Sequence, residues 1–354
     1  MRILITGACG FVGSTVALAL REGWPHWQIV GLDNLVRAGS EINRARLKQH
    51  GIKLLHADIR SPSDLETISR CDWILDAAAN PSVLAGVDGK TSTRQLLEHN
   101  LFGTVNLLEL ARTWNSGFLM LSTSRVYSIH ALAKIPVETK GKRFVPHATK
   151  IPGFSSRGVA ENFSVAPPLS LYGSSKLASE VLACEYAEAF GLPVFINRCG
   201  VLAGAGQFGK IDQGIFSFWI HSWRAQRPLK YIGFKGTGFQ VRDCLHARDL
   251  TSLLAQQMQQ PRKNVPKIVN VSGGIRQSAS LRELSDWCEN RFGKGNITGS
   301  KETRPFDVPW LVLDSSLAKK VWSWTPQTSI ESIWNEIADH AEANPRWLEM
   351  TADA

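Results

Sequence analysis

A tyrosine and a lysine stand four residues apart in the segment YGSSK, as Tyr172 and Lys176. On a helix, residues at this spacing lie on the same face, one turn apart. A phenol has an ordinary pKa of about 10, too high for a base at neutral pH, and a neighbouring ammonium lowers that pKa. The pair therefore predicts a general base, Tyr172, with Lys176 beside it. Taken alone, the spacing is common on surface helices.

Polar side chains follow an apolar run at a second place, where STSRVYS (122–128) comes directly after GFLML (117–121). Open α/β sheets bind ligands at the carboxyl ends of their strands. A base that takes a proton from a substrate hydroxyl needs a second hydroxyl to orient that oxygen. Thr123 or Ser122 supplies it if this segment ends a strand beside Tyr172.

A glycine turn, GACGFVG, follows the first apolar run and places glycines at positions 7, 10 and 13. Glycine lets the backbone turn sharply and approach a pyrophosphate, and the N–H groups of the next helix point at the phosphates. Asp33 ends the second run, 20 residues after Gly13, where a carboxylate accepts from ribose hydroxyls and repels a 2′-phosphate. The pattern predicts bound NAD in preference to NADP, a preference that Arg37 nearby weakens.

Further contacts to the dinucleotide are predicted at the ends of the other strands. Ala77, Ala78 and Ala79 are small enough to let it pass the fourth strand, although tight packing of a helix on the sheet explains them too. The full set of predicted cofactor contacts is Gly7, Gly10, Phe11, Val12, Gly13, Asp33, Asn34, Asp58, Ile59, Ala77, Ala78, Ala79, Asn100, Ser122, Tyr172, Lys176 and Cys199.

Strand-like apolar runs alternate with helical patterns and so supply the frame for these residues. The runs are almost continuously apolar, as expected of strands buried on both faces of a parallel sheet. The alternation predicts an α/β fold, a doubly wound parallel Rossmann sheet with a smaller C-terminal α/β substrate lobe. We assign 1–200, with a return segment at about 242–274, to the NAD-binding domain, and 201–241 with 275–354 to the lobe. Helices are predicted near 41–50, 92–114, 172–190, 279–292 and 329–343.

Composition narrows the class of protein. The 354 residues contain no apolar run long enough for a membrane span, and MRILITG is too short for a signal peptide. Six scattered cysteines without a CxxC pair predict buried thiols in a cytoplasmic protein, with no metal site; His221 and His246 are also taken as structural. The net charge of +9 suits an anionic partner, but the dispersed lysines and arginines favour a generally basic surface over a nucleic-acid site.

The motifs GACGFVG, DIR, STSRVY, YGSSK and QVRDCLHARDL occur in that order, and RPFDV and WSWTP follow near the end. With them the sequence resembles, over nearly its whole length, the extended short-chain dehydrogenase/reductase family of NAD-dependent epimerases and dehydratases. The resemblance implies tightly held NAD, a nucleotide-sugar substrate, a cytoplasmic location, and a homodimer formed through the helices at 92–114 and 172–190. It places the family's catalytic residues at Thr123, Tyr172 and Lys176.

The triplet at Thr123 separates the subfamilies. Sugar 4,6-dehydratases of this family have Thr-Asp-Glu there, with the two acids eliminating water, whereas this chain has Thr123-Ser124-Arg125. An arginine stays protonated and cannot act as that base, so dehydration is disfavoured. Closer similarity, in 196–216, in 238–250 and in the long insertion before YGSSK, is to the CDP-paratose 2-epimerase (CDP-tyvelose epimerase) group. Ser128 and the GAG at 204–206 depart from the family's usual residues.

That similarity implies epimerisation at C2 of a CDP-hexose by transient oxidation and re-reduction, in cell-surface polysaccharide biosynthesis. A nucleotide-sugar 4-epimerase, a ketoreductase of the same family and a non-catalytic NAD-binding regulator remain alternatives, and the base and the sugar stay open. Arg242 is the first candidate for a bidentate phosphate ligand and Arg304 the second. The predicted substrate contacts are Ser124, Arg125, Asn197, Gln207, Asp212, Gln213, Arg242 and Arg304.

Overall fold

A computed structural model describes residues 1–87, 89, 91–148, 150–210, 213–262, 264–303 and 305–352 of the chain. Its strands are β1 (Arg2–Thr6), β2 (Gln28–Asp33), β3 (Lys53–His56), β4 (Trp73–Asp76), β5 (Gly117–Thr123), β6 (Val137–Lys140), β7 (Arg143–Pro146), β8 (Phe154–Ser155), β9 (Gly158–Val159), β10 (Val194–Cys199), β11 (Leu202–Ala203), β12 (Leu229–Tyr231), β13 (Val241–Asp243), β14 (Leu245–His246), β15 (Ile268–Val271), β16 (Ser278–Ser280), β17 (Ile297–Gly299) and β18 (Trp310–Leu311).

The α-helices are α1 (Phe11–Gly23), α2 (Ile42–Gln49), α3 (Pro62–Glu66), α4 (Thr93–Leu97), α5 (Gly103–Trp114), α6 (Ile129–Ala133), α7 (Leu171–Phe190), α8 (Ile215–Arg224), α9 (Leu250–Gln259), α10 (Leu281–Phe292), α11 (Ser316–Trp322), α12 (Ile330–Ala343) and α13 (Trp347–Met350).

The central sheet is parallel throughout and has the strand order β15-β10-β5-β4-β1-β2-β3, seven strands in the part of the chain that the structure describes. The chain runs outward from β1 to β3, then returns to β4 on the other side of β1 and continues outward. This confirms the predicted doubly wound Rossmann sheet. In such a sheet, ligands bind at the carboxyl edge where the order reverses, here above β1 and β4.

The core explains why the strands read as continuous apolar runs. Successive side chains of a strand point to opposite faces. Ile3 and Ile5 therefore pack into the apolar layer on one side of the sheet, together with Leu20 of α1. Leu4 packs into the layer on the other side, together with Leu107 of α5. Helices cover both faces of β1, so its side chains from Ile3 to Thr6 are all buried.

The predicted helix at 92–114 differs from the observed structure. Its middle, Glu98–Phe102, is a π-helical turn between α4 and α5. The backbone oxygen of Asn100 in this turn accepts hydrogen bonds from the hydroxyls of Thr104 and Ser179. Such turns are frequent at functional sites because they redirect a side chain without ending the helix. Apolar periodicity does not reveal a single widened turn, which is why the sequence predicts an unbroken helix.

The C-terminal lobe is built around α8, α10 and α12, whose apolar side chains form a separate core with Trp219, Trp223 and Trp334. The insertion before α7 contributes the hairpins β6–β7 and β8–β9. Within the described ranges, no helix is long and apolar enough to cross a membrane. The described residues contain no group of three His, Cys, Asp or Glu side chains that could hold a metal ion.

Candidate active site

The start of α7 determines where Tyr172 and Lys176 lie. The Ser170 side chain accepts a hydrogen bond from the backbone N–H of Gly173 at 3.0 Å, so the helix begins at Leu171 and both residues fall in its first two turns. A Cβ atom at Gly173 would lie 2.2 Å from the carbonyl oxygen of Arg125. Glycine at this position therefore lets the helix pack directly against the turn that follows β5.

This packing brings Tyr172 close to Thr123, the last residue of β5, near enough for the Thr123 hydroxyl to act on the phenol. The tyrosine is 8% exposed. Burial raises its pKa, while the Thr123 side chain and the charge of Arg125 lower it. Sequence reasoning assigned the lowering to Lys176, which is not among the groups that shift the pKa of Tyr172 in the structure. The phenol thus depends on a further positive charge to act as a base near neutral pH.

Lys176 has an unusual environment for a charged residue. It is 2% exposed, and it makes no hydrogen bond or ion pair with any other residue that the structure describes. Its charge lowers the pKa of the Cys199 thiol, which burial raises to about 12. An ammonium donates three hydrogen bonds, and no acceptor for them is found among the described residues. The ribose hydroxyls of a dinucleotide are acceptors of the right kind, so this orphaned group fits the predicted NAD.

The glycine turn also fits a dinucleotide. Gly7 has φ +62°, and a Cβ there would lie 2.9 Å from the Cα atom of Ala78, so the turn and the end of β4 are in direct contact. The helix α1 begins at Phe11 without a side-chain cap from Gly10, and Val12 and Gly13 follow in its first turn. Its first N–H groups are therefore available to a pyrophosphate.

Two carboxylates lie at the ends of β2 and β3. Asp33 accepts hydrogen bonds from the backbone N–H groups of Cys9 and Leu35, both at 2.8 Å; burial raises its pKa against these bonds. Asn34 donates its side-chain amide to Asp58 at 2.9 Å. Burial alone would raise the pKa of Asp58, but hydrogen bonds from Arg60 and Asn34 outweigh burial and lower it. The arrangement suits the adenosine end of NAD, with hydroxyl-accepting oxygens already oriented.

Arg37 is held by the C-terminal lobe. Its guanidinium donates to the backbone oxygen of Phe208 at 2.7 Å and to the side chain of Gln213 at 3.1 Å. These bonds connect the loop after Asp33 to the glycine-rich segment 204–214.

The loop after β4 is held by the side chains of Asn100, a predicted cofactor contact, and of Thr6, which the sequence did not single out. Asn100 accepts from the backbone N–H of Asn80 at 2.7 Å and donates to the carbonyl of Asn80 at 2.9 Å. The Thr6 hydroxyl accepts from the N–H groups of Ala77 and Ala78, both at 3.2 Å. Ala79 follows in the same loop. Ile59, beyond β3, is buried, and its carbonyl accepts from Asn106.

Two predicted site residues have protein partners instead of a place at the ligand edge. The Ser122 hydroxyl donates to Glu180 at 2.5 Å. The amide of Asn197, in β10, makes two reciprocal hydrogen bonds at 3.0 Å with Gln257 of α9. Of the two hydroxyls considered beside Tyr172, the structure therefore brings Thr123 to the phenol. Asn197 has no contact that supports its predicted role in substrate binding.

The predicted substrate-binding residues do not form a single cluster of contacts. Arg242 pairs with Asp307 at 2.8 Å, and Arg125 donates to the neighbouring carbonyl of Phe306 at 3.3 Å. Ser124 is buried in the short turn Ser124–Val126. Gln207, by contrast, donates to the backbone of Leu202 inside its own loop. Asp212 and Arg304 lie outside the described residues.

A buried ion pair behind the tyrosine was missed. Glu180 of α7 and Arg198 of β10 approach to 2.6 Å, and both side chains are almost fully buried. The sequence carried one indication: an arginine within the apolar strand FINRC, where a buried charge requires a partner. Nothing in the sequence named Glu180 as that partner.

Known proteins that are similar to this chain are NAD-dependent epimerases and dehydratases. The model of the NAD dependent epimerase/dehydratase family matches residues 3–272. CDP-paratose 2-epimerase of Salmonella typhi is 30% identical over 93% of this chain and 96% of its own length. UDP-glucuronate 4-epimerase of Thermodesulfobacterium geofontis is 27% identical over 93% and 92%. The crystal structure of UDP-glucuronic acid 4-epimerase from Bacillus cereus, with UDP-glucuronic acid and NAD, shares the fold (TM-score 0.77, 23% identity, 97% of this chain and 99% of that one).

Proposed function

Because the chain belongs to the NAD dependent epimerase/dehydratase family, we propose that it inverts one carbon of a nucleotide-activated sugar, C2 of a CDP-hexose, by transient oxidation and re-reduction. Family membership confirms two predictions from the sequence: an NAD-dependent enzyme of this class, and NAD as its cofactor. The sugar, the base and the carbon that inverts belong to the proposal.

One observation carries the proposed chemistry: a buried Tyr172 lies beside Thr123, and one helical turn away is Lys176, whose ammonium has no partner among the residues that the structure describes. Tyr172 takes the proton of a sugar hydroxyl, and Thr123 orients the oxygen that loses it. Bound NAD supplies reversible hydride acceptance at the same carbon and a positive charge nearby. Lys176 binds the ribose, and the positive charge that bound NAD brings counters the burial that raises the pKa of the phenol.

Inversion requires the oxidised sugar to present its other face before the hydride returns. The ketone carbon is planar, so a rotation of the sugar within the pocket is sufficient, and Tyr172 returns the proton to the same oxygen. The pyrophosphate must stay held during this rotation. We propose Arg242 for that contact, because Asp307 already orients its guanidinium and a guanidinium binds phosphate oxygens in pairs.

The choice of C2 and of a CDP-sugar rests on similarity to the Salmonella CDP-paratose 2-epimerase, at 30% identity over almost the full length of both chains. The side chains after Thr123 support epimerisation over dehydration, since Ser124 and Arg125 provide no acid–base pair. A 4-epimerase is the second candidate, favoured by the UDP-glucuronate 4-epimerase relative at 27% identity.

The proposal includes a homodimer and a cytoplasmic location. Phe102 and Val181 lie on the neighbouring segments before α5 and within α7, and they are 54% and 56% exposed. Large apolar side chains on adjacent helices are suited to burial against a second copy of the same face. This supports the pairing of the two helices that the family resemblance implies.

The function is tested by incubating pure protein with CDP-, UDP-, GDP- and dTDP-sugars in ordinary and deuterated water and reading the products by NMR. We expect one CDP-hexose to be inverted at C2 without uptake of solvent deuterium, and Tyr172→Phe to abolish the conversion. Inversion at C4 would establish the second candidate. Solvent deuterium found on a carbon next to a carbonyl would show that the sugar is inverted by enolisation instead of hydride transfer. Full activity of Tyr172→Phe would exclude Tyr172 as the general base.

A further inference from the structure

A buried carboxylate lies one helical turn beyond Lys176. Tyr172, Lys176 and Glu180 follow one another at intervals of four residues, so they share one face of α7. Glu180 is 1% exposed in its side chain and accepts hydrogen bonds from Ser122 at 2.5 Å and from Arg198 at 2.6 Å. The helix face that bears the base is therefore joined to the sheet at a defined point.

That point is the carboxyl end of two adjacent strands. Ser122 of β5 and Arg198 of β10 are register partners, and the next pair along the ladder is Thr123 with Cys199. Glu180 thus bridges the two strands one position before Thr123. Thr123 is the last residue of β5, and the hydroxyl of the preceding residue, Ser122, links this end of the strand to the helix that carries Tyr172.

Two further donors of Arg198 are also used. Its guanidinium donates to the Tyr127 hydroxyl at 3.3 Å and to the carbonyl of Glu161 at 3.2 Å. Tyr127 in turn donates to Asn270 of β15 at 2.6 Å. A polar network with all its members paired holds its parts rigidly. Apolar side chains would fill such a space at lower cost, so the directional bonds indicate a need for fixed geometry.

We propose that Ser122, Glu180 and Arg198 are positioning residues that hold Thr123 against the hydroxyl of Tyr172. Catalytic groups must be held to within roughly 0.5 Å of their productive geometry. The network provides this by fixing the middle of α7, one turn beyond Lys176, to the carboxyl ends of β5 and β10. The proposal rests on the proposed function only in taking Tyr172 as the base, and the contact itself can be tested without substrate.

The test compares Ser122→Ala with Ser116→Ala in the NAD-containing enzyme. Ser116 precedes the opposite end of β5, is also buried, and donates its hydroxyl to the carbonyl of Cys71. The protein is labelled with tyrosine carrying ¹³C at Cζ; the chain has four tyrosines, and Tyr172→Phe identifies the signal of interest. Titration by NMR gives the pKa of Tyr172, and thermal unfolding compares the stability of the two variants.

For Ser122→Ala we expect the Tyr172 signal to move and its pKa to rise, because the nearby Thr123 side chain lowers that pKa. We also expect kcat to fall about tenfold with KM nearly unchanged, since misplacing a catalytic group acts on the chemical step. Ser116→Ala should match it in stability and leave the signal and kcat as in wild type. An unmoved Tyr172 signal in Ser122→Ala, with kcat equal to that of Ser116→Ala, overturns the proposal. A fully active Tyr172→Phe would instead refute the proposed function. The NMR comparison of the two serine variants would still show whether the network positions Thr123 against Tyr172.

Discussion

Replacing Lys176 by methionine should change stability and NAD affinity in opposite directions. The substitution keeps a long unbranched side chain and removes a charge that is buried without a partner among the described residues. The NAD-free protein then loses a desolvated cation, which favours folding. The NAD complex loses the donor that we assign to the ribose, which weakens binding.

The expected changes in folding stability and in NAD affinity can both be given a magnitude from the buried position of Lys176. Replacing buried charged groups by apolar ones of similar volume is neutral or stabilises by about 1–4 kcal/mol, and we expect about 1 kcal/mol here. A hydrogen bond to a charged group contributes about 1.5–3 kcal/mol. The loss of two such bonds to ribose hydroxyls should weaken NAD binding by about 3 kcal/mol, which is roughly 100-fold.

The assay uses three NAD-stripped proteins: wild type, Lys176→Met, and Lys53→Met as a control, since Lys53 is an exposed lysine on β3 of the same sheet. Urea unfolding gives the free energy of unfolding, and calorimetric titration gives the affinity for NAD. Lys53→Met should change neither value appreciably. Strong destabilisation by Lys176→Met, or NAD affinity equal to that of wild type, would refute the role assigned to this lysine.

Three further outcomes are expected. Arg37→Ala should release bound NAD several times faster than wild type in a stopped-flow fluorescence assay, because its bond to the Phe208 carbonyl closes the loop after Asp33; an unchanged release rate would contradict this. Burial beside His340 lowers the pKa of His221 from 6.5 to about 3, so the unfolded chain binds more protons between these values. The free energy of unfolding should therefore fall as pH drops through that window, by up to about 1.4 kcal/mol per pH unit, and His221→Gln should flatten the dependence in urea titrations. Phe102→Glu should yield monomers in light scattering, whereas an unaltered mass would place the dimer contact elsewhere.

Local spacing in the sequence predicted the parts of the site that depend on one or two neighbouring elements. The glycine turn, Asp33 and the pair Tyr172–Lys176 each follow from a strand end or a single helix face, and the structure has those elements in the expected places. Thr123 and Ser122 could not be separated, because which hydroxyl meets the tyrosine depends on how α7 packs on β5.

Partners that lie far apart along the chain were beyond sequence reasoning. The contact of Glu180 with Arg198 joins α7 to β10, which lies beyond β5 in the central sheet. The ion pair of Arg242 with Asp307 joins residues that are 65 positions apart in the sequence. Residue types alone leave many such pairings open. Only the register of the sheet and the tilt of the helices select one.

The central claim is that a hydride leaves and returns to the same sugar carbon while Tyr172 moves the proton. It is tested most directly with a CDP-hexose carrying deuterium on the carbon that inverts, converted in ordinary water by the NAD-containing enzyme. We predict an inverted product that keeps its deuterium at that carbon. Loss of the label to water during inversion would contradict the account.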